Sequence, residues 1–187
     1  MDTIYKSDTK RVFLTFDDGP SPVTSKILDI LKQENVKATF FILGSNVDSR
    51  KDVVKRMYEE GHYLANHGYS HTYSKIYSSP QSVLDEYNEC NDKVKNAIEV
   101  PDYNSHLFRF PGGLAGGKYA EIKKEAKELL LQNNIVNVDW NALTGDAETN
   151  NLSVEFEMTR LTETMESKNS LVILMHDAAA KSVTADA

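Results

Sequence analysis

Short apolar runs alternate with segments of helical period along almost the whole chain, and this alternation narrows the fold more than any other feature. The pattern predicts strands over residues 11–16, 38–43, 62–65, 107–110, 135–138 and 171–175. It predicts helices over 22–34, 48–60, 79–98, 119–132 and 154–167. In the first helix Val23, Ile27, Leu28, Ile30 and Leu31 fall near a 3.6-residue period. In the longest, Val83, Leu84, Tyr87, Val94 and Ile98 form the apolar row, with Pro80 in the first turn. Gly61 is a stop for the second helix. Strand followed by helix, repeated about six times, calls for a parallel sheet with helices outside it. No internal repeat, low-complexity tract or linker interrupts the pattern. One domain over residues 1–187 is expected, large enough to bury a real core.

The polar clusters all stand at the carboxyl ends of predicted strands, where parallel α/β barrels place their active sites. The first is Thr15-Phe16-Asp17-Asp18-Gly19-Pro20. Two adjacent Asp at the end of a buried strand are costly, because each charge loses water and repels the other. A nearby cation reverses that cost. The second cluster is Asn66-His67-Gly68-Tyr69-Ser70-His71. Its two His, four residues apart, can face one cation if the segment makes a helical turn. One Asp and two His leave coordination positions open for water and substrate. Asp18, His67 and His71 are therefore the candidate metal ligands. Zinc is the default ion for that donor set, and cobalt, nickel or iron also fit. Asp17 is left as a candidate base, its alternative being a turn-capping Asp.

Three further strand ends carry chemistry. Arg109, before Phe110-Pro111-Gly112-Gly113, either pairs with Asp17 in a bidentate contact or points to solvent. The Pro-Gly-Gly turn can expose a backbone N–H toward a developing oxyanion. Asp139 precedes Trp140, the only Trp, which is either core or a platform for a sugar ring. His176 ends the last strand. An Asp–His pair raises an imidazole pKa and aims the ring, as a general acid needs. His62, His106 and Cys90 read as structural, and the Lys123-Lys124 run as a solvated helix face.

With 28 acidic against 21 basic residues the net charge is −7, and no basic cluster is interleaved with aromatics. This argues against nucleic acid or an anionic membrane as the main partner. No apolar stretch approaches the roughly 20 residues that span a bilayer. The single cysteine allows no intrachain disulfide. No signal peptide is visible, so the chain is expected to be cytoplasmic or cut from a longer exported protein.

These segments, in this order, resemble the polysaccharide deacetylases of carbohydrate esterase family 4, the NodB-homology domain. Thr15-Phe16-Asp17-Asp18-Gly19-Pro20, His67-Gly68-Tyr69-Ser70-His71, Arg109-Phe110-Pro111-Gly112-Gly113, Asp139-Trp140 and Leu174-Met175-His176 carry the resemblance, over about residues 11–177. It implies an α/β fold, a distorted (β/α) barrel of about seven parallel strands. It implies removal of N-acetyl groups from an amino-sugar polymer, with release of acetate and a free amine. Asp17 would be the base, and Asp18, His67 and His71 would hold the metal. His176 would be the acid, tuned by Asp139, while Arg109 would hold Asp17. Leu174 and Trp140 would line the acetyl pocket, and the Gly112 amide would help stabilise the oxyanion. Bacterial peptidoglycan N-acetylglucosamine deacetylases are the nearest in look, which implies an extracellular or cell-surface setting. Chitin-oligomer and poly-N-acetylglucosamine deacetylation are close alternatives, acetyl-xylan esterase activity is further off, and a carbohydrate-binding pseudoenzyme is a reading of a different class.

Three departures from the family pattern carry expectations. Gly68 stands where the family usually has Ser or Thr, so the loop is expected to lose a brace and bind metal less well than a Gly68→Ser variant. Gly112 replaces a larger residue, so the groove is expected to be more open. The family domain usually continues past the last motif with a helix and a strand. By average element lengths that is roughly 15–20 residues more, and residues 181–187 read as the start of that helix.

Overall fold

A computed structural model describes residues 2–149, 152–179 and 182–186 of the chain. A short helix α1 (Asp2–Tyr5) precedes β1 (Arg11–Asp17), α2 (Pro22–Gln33) and β2 (Thr39–Ile42). There follow α3 (Gly44–Val47), α4 (Lys51–Glu59), β3 (Tyr63–Asn66), α5 (Tyr73–Ile76) and α6 (Pro80–Ile98). The rest comprises β4 (Leu107–Phe108), α7 (Ala120–Gln132), β5 (Val136–Asn137), β6 (Ala142–Leu143), α8 (Val154–Met165), β7 (Ser170–His176) and a 3₁₀ turn, Ser182–Ala185.

The seven strands form one parallel sheet in the order β5-β4-β3-β2-β1-β7-β6, curled into an open half-barrel. The longest pairing, β1 with β7, puts Asp17 opposite His176, and β3 with β4 puts Asn66 opposite Phe108. All the expected site segments therefore reach the same rim. Phe16, Phe40, Ile42 and Leu64 from the sheet pack with Leu28, Met57 and Val94 from the helices. A second cluster joins Phe108 and Phe110 to Tyr77, Val83 and Leu130. Burying such side chains contributes on the order of 1.5–3 kcal/mol each.

The helix starts are set by side chains. Ser21 Oγ accepts from the Val23 N–H at 3.0 Å, and Thr24 Oγ1 accepts from the Ser21 N–H at 2.8 Å. With Pro22 in the first turn, this box closes the α2 N-terminus just beyond the paired Asp. At the start of α6, Ser79 Oγ accepts from the Ser82 N–H at 3.1 Å, with Pro80 in the first turn.

The helix expected over 48–60 begins only at Lys51, as α4, because Arg50 leaves the helical region at ψ 40°, and the short α3 over Gly44–Val47 had no expectation. β6 was not legible at two residues, as it pairs only with β7 and has no apolar run of its own. Part of 181–187 is a 3₁₀ turn rather than an α-helix, and residues 181 and 187 lie outside the described residues. No helix among the described residues is long and apolar enough to cross a membrane.

Candidate metal centre and its surroundings

Asp17 ends β1 with 2% of its surface exposed. The strand stops there because Asp18 takes a left-handed backbone, φ 76°. The carboxylate of Asp177 fills the space where a side chain on Gly19 would begin, so the turn after the Asp pair needs glycine. Arg109, 0% exposed, reaches Asp17 from β4's end. Its Nη1 donates to Asp17 Oδ1 at 2.7 Å and to Thr15 Oγ1 at 2.8 Å, its Nε to the Val138 carbonyl at 2.9 Å, and its Nη2 to the Asp139 carbonyl at 3.2 Å. Phe41 lies under the guanidinium, 3.9 Å from ring centre to Cζ. The contact to Asp17 uses one carboxylate oxygen, not two as a bidentate pair would. Burial pushes the Asp17 pKa up, and the charges of Arg109 and His176 pull it partly back.

Asp18, His67 and His71 bring three ligand atoms within 4.8 Å of one another. His67 Nε2 and His71 Nε2 each lie 3.5 Å from Asp18 Oδ1. That oxygen is buried and has no hydrogen-bond partner among the described residues. An orphaned buried carboxylate oxygen facing two imidazole nitrogens fits a divalent cation. The contact behind His67 fits as well. His67 Nδ1 lies 2.8 Å from the Arg109 carbonyl, so Nδ1 carries the proton and Nε2 keeps its lone pair for the site. Burial pulls the His67 pKa down to about 3, against the raising effect of Asp18, so the ring is the neutral ligand a metal needs.

The two His do not sit on a helical turn, as their spacing allowed. They lie on the loop between β3 and α5, with Gly68 at φ 83° and His71 at φ 52°. That loop is not short of a brace. Glu86 on α6 accepts from the Tyr69 N–H at 2.8 Å, the Ser70 N–H at 2.6 Å and Ser70 Oγ at 2.6 Å. Asn66 Oδ1 accepts from the Gly68 N–H at 2.9 Å. A Cβ on Gly68 would stand 3.0 Å from Ile76 Cδ1 on a backbone L-residues avoid. The strained backbone leads us to expect a cost for Ser at this position in place of the benefit.

His176 ends β7 beside Asp17, but its partner is not Asp139. Asp146 Oδ1 meets His176 Nδ1 at 2.8 Å, and Asp146 Oδ2 accepts the His176 backbone N–H at 2.7 Å. Asp139 is turned to the Pro-Gly-Gly turn instead, its Oδ2 accepting the Leu114 N–H at 3.1 Å. The family resemblance implied Asp139 as the carboxylate that tunes His176. Asp146 lies beyond β6, the strand that has no sequence signal, and that extra strand carries the chain across to β7. Burial lowers the His176 pKa, but the bond and charge of Asp146, with Asp17 and Asp18, outweigh it and raise it to about 9.

The Phe110-Pro111-Gly112-Gly113 turn is more crowded than expected. Gly112 and Gly113 both have φ 74°. A Cβ on Gly112 would meet the Tyr73 hydroxyl at 2.5 Å, so Tyr73 fills the space a larger residue would have taken. Trp140, half-buried, has its ring edge 3.0 Å from where a Cβ on Gly113 would stand. Leu174 is buried in β7 next to Thr15 and Leu143. Lys123 is not on a solvated face. It is 5% exposed, and its Nζ donates to the Gly113 carbonyl at 2.6 Å above the Tyr77 ring. Glu86, Asp146 and Tyr73 were given no role by sequence and Lys123 was read as solvated, since each depends on elements that meet only in three dimensions.

Residues 5–132 match the family model described as polysaccharide deacetylase. A putative polysaccharide deacetylase of Bacillus subtilis is 36% identical over 175 residues, 90% of this chain and 58% of the relative. A peptidoglycan-N-acetylglucosamine deacetylase of Bacillus cereus is 33% identical over 95% of this chain and 63% of its own length. The chain thus spans about three fifths of these curated relatives. Among solved structures, a carbohydrate esterase family 4 enzyme of Streptococcus mutans superposes with a TM-score of 0.88 at 34% identity, covering 98% of this chain and 80% of that one. The catalytic domain of a peptidoglycan N-acetylglucosamine deacetylase from Eubacterium rectale gives 0.86 at 32% identity, over 96% and 82%.

Proposed function

The chain belongs to the polysaccharide deacetylase family, and from that premise we propose that it is one catalytic domain of a metal-dependent hydrolase. It removes N-acetyl groups from an N-acetylglucosamine-containing polysaccharide, peptidoglycan foremost, and acts outside the membrane at the cell wall. Chitin oligomers and poly-N-acetylglucosamine are the alternative substrates. The observation that carries the reading is the orphaned Asp18 Oδ1 facing His67 and His71, with Asp17–Arg109 on one side and Asp146–His176 on the other.

Asp18, His67 and His71 would hold the cation, zinc by its donor set, with cobalt or nickel as alternatives. When bound, it lowers the pKa of water and polarises a carbonyl. Asp17 takes the proton of the attacking water. Arg109 occupies Oδ1, so Oδ2, 3.7 Å from His67 Nε2, is the oxygen left facing the site. His176, charged below its raised pKa of about 9, holds the proton that passes to the leaving nitrogen. Asp146 engages its Nδ1 and leaves Nε2 for substrate. The Gly112 N–H, which bonds to none of the described residues, donates to the carbonyl oxygen as that oxygen gains charge. Trp140 and Leu174 wall the acetyl group. The C–N bond of the acetamide breaks, and acetate and the free amine leave.

The test is acetate release from N-acetylglucosamine oligomers and from peptidoglycan. Wild type is compared with Asp17→Asn and with chelated protein given zinc or cobalt back. Activity lost in both and restored by metal supports the hydrolase, and the preferred polymer names the substrate. Folded, metal-loaded protein that releases no acetate would sink it in favour of a glycan-binding role.

A further inference from the structure

Tyr73, at the start of α5, bridges two parts of the candidate site. Its ring centre stands 5.6 Å from that of His71, one of the three ligand residues, at an interplanar angle of 56°. Its far end reaches the Pro-Gly-Gly turn. The three atoms nearest to where a side chain on Gly112 would start are Tyr73 Oη, Cζ and Cε2, at 2.5, 3.3 and 3.6 Å. The hydroxyl leads, and only a residue without a Cβ leaves it room. It therefore lies against the same residue whose backbone N–H bonds to none of the described residues.

The ring is held while its hydroxyl is left free. Tyr77, 1% exposed, packs edge-on against Tyr73, with ring centres 5.6 Å apart at 72°. Tyr77 Oη donates to the Pro111 carbonyl at 2.7 Å. One buried residue thus fixes both the Tyr73 ring and the turn that carries Gly112. The hydroxyls of Tyr63, Tyr87 and Tyr103 are likewise spent on Ser105, Asn104 and Leu64 oxygens. Tyr73 Oη bonds to none of the described residues, and the residue is 40% exposed, so a substrate can reach it. Position gives this hydroxyl its meaning, since it stands beside a metal ligand and against an oxyanion donor.

Water adding to an acetamide carbonyl puts negative charge on its oxygen. Donors already fixed around that oxygen stabilise the charge without having to reorganise. A phenol O–H is such a donor. It shares its proton with the oxygen and keeps it, so no bond of the tyrosine breaks.

We propose that Tyr73 is a further catalytic residue, its hydroxyl donating to the acetamide oxygen beside the Gly112 N–H, so that two donors from different elements meet one developing charge. The proposal rests on the triad being the deacetylation centre, and it adds a side-chain donor to that centre.

Tyr73→Phe removes one oxygen and keeps the ring on His71 and Tyr77. In zinc-loaded protein, kcat for acetate release from N-acetylglucosamine oligomers should fall about 100-fold, the low end for losing one oxyanion donor, with KM within about twofold. Zinc affinity, by competition with a chromophoric chelator, and the urea midpoint should match wild type. A second readout is binding alone. An oligomer with a methylphosphonamidate in place of one acetamide carries a tetrahedral anion, and by calorimetry it should bind Tyr73→Phe about 100-fold more weakly than wild type. Unchanged kcat with unchanged affinity for the phosphonamidate overturns the proposal. So does a rise in KM alone, which would make the hydroxyl a ground-state contact, or a fall in kcat matched by loss of zinc, which would make Tyr73 a support for His71. These outcomes leave the hydrolase reading standing. Folded, metal-loaded wild type that releases no acetate overturns both.

Discussion

Asp146 grips His176 twice, through its ring Nδ1 at 2.8 Å and through its backbone N–H at 2.7 Å. The double contact fixes the end of β7 and the ring orientation together. Asp146→Asn keeps the shape and removes the charge that raises the His176 pKa. Activity should fall about 10–100-fold, as when a partner that aims a functional imidazole is lost. The alkaline limb of the kcat/KM profile, expected near pH 9 in wild type from the raised His176 pKa, should move to lower pH. The same pair has a stability signature. The folded pKa of about 9 lies above the usual 6.5, so the pair's contribution is complete below about pH 6.5 and is lost as pH rises through 9. Thermal unfolding across that window should show the decline in wild type and a flatter curve in Asp146→Asn. An unmoved alkaline limb would rule out Asp146 as the partner that sets the proton donor.

Metal affinity should depend on the loop between the two His. Glu86→Gln removes the charge that gathers the Tyr69 and Ser70 amides. Zinc binding, measured by competition with a chromophoric chelator, should weaken about 10–100-fold. Gly68→Ser should weaken it too, because φ 83° costs a side-chain-bearing residue on the order of 1–3 kcal/mol. Tighter zinc binding by Gly68→Ser would show that the missing hydroxyl matters more than the backbone.

Lys123 ties α7 to the turn that presents the Gly112 N–H. Lys123→Met keeps much of the volume and leaves the Gly113 carbonyl without its donor. Unfolding by urea should show a loss of about 1–3 kcal/mol, the range for an orphaned buried acceptor. If the turn aims the amide at the oxyanion, kcat should fall several-fold more than KM rises. A variant with lowered stability but unchanged kcat would confine Lys123 to the fold.

What was legible in sequence follows from how locally each feature is encoded. Six strands and five helical segments came from apolar periodicity, and the order of motifs placed Asp17, Asp18, His67, His71, Arg109 and His176 on one rim. Asp17 and His176 meet because β1 and β7 are neighbours in register, a pairing of residues 159 apart in the chain. Asp139 was paired with His176 in place of Asp146, which had no assignment because two-residue β6, just before it, has no period to detect. Lys123 looked solvated because its helix is rich in charge, and its burial depends on a glycine turn ten residues earlier.

Arg109 and Asp17 form the most buried ion pair of the site, and their coupling should be measurable as stability. Arg109→Met leaves the Asp17 carboxylate buried without its cation, which costs about 3–5 kcal/mol in comparable pairs. The Val138 and Asp139 carbonyls and Thr15 Oγ1 lose a donor as well, so the loss should stand at the upper end of that range. Burial already lifts the Asp17 pKa with Arg109 present, and without the guanidinium it must rise further. A carboxylate whose folded pKa lies above its unfolded value gives its full stability below the unfolded pKa and loses it as pH rises through the folded one. The Arg109→Met penalty should therefore be smaller near pH 4 than near pH 8. Asp17→Asn in the same background should recover part of the loss at pH 8 by removing the unpaired charge. Urea unfolding in the presence of a chelator reads this cleanly, since no cation can then replace the guanidinium. A penalty independent of pH, with no recovery in the double variant, would mean that Arg109 acts through packing and its carbonyl contacts, and that Asp17 is neutral in the folded protein even beside it.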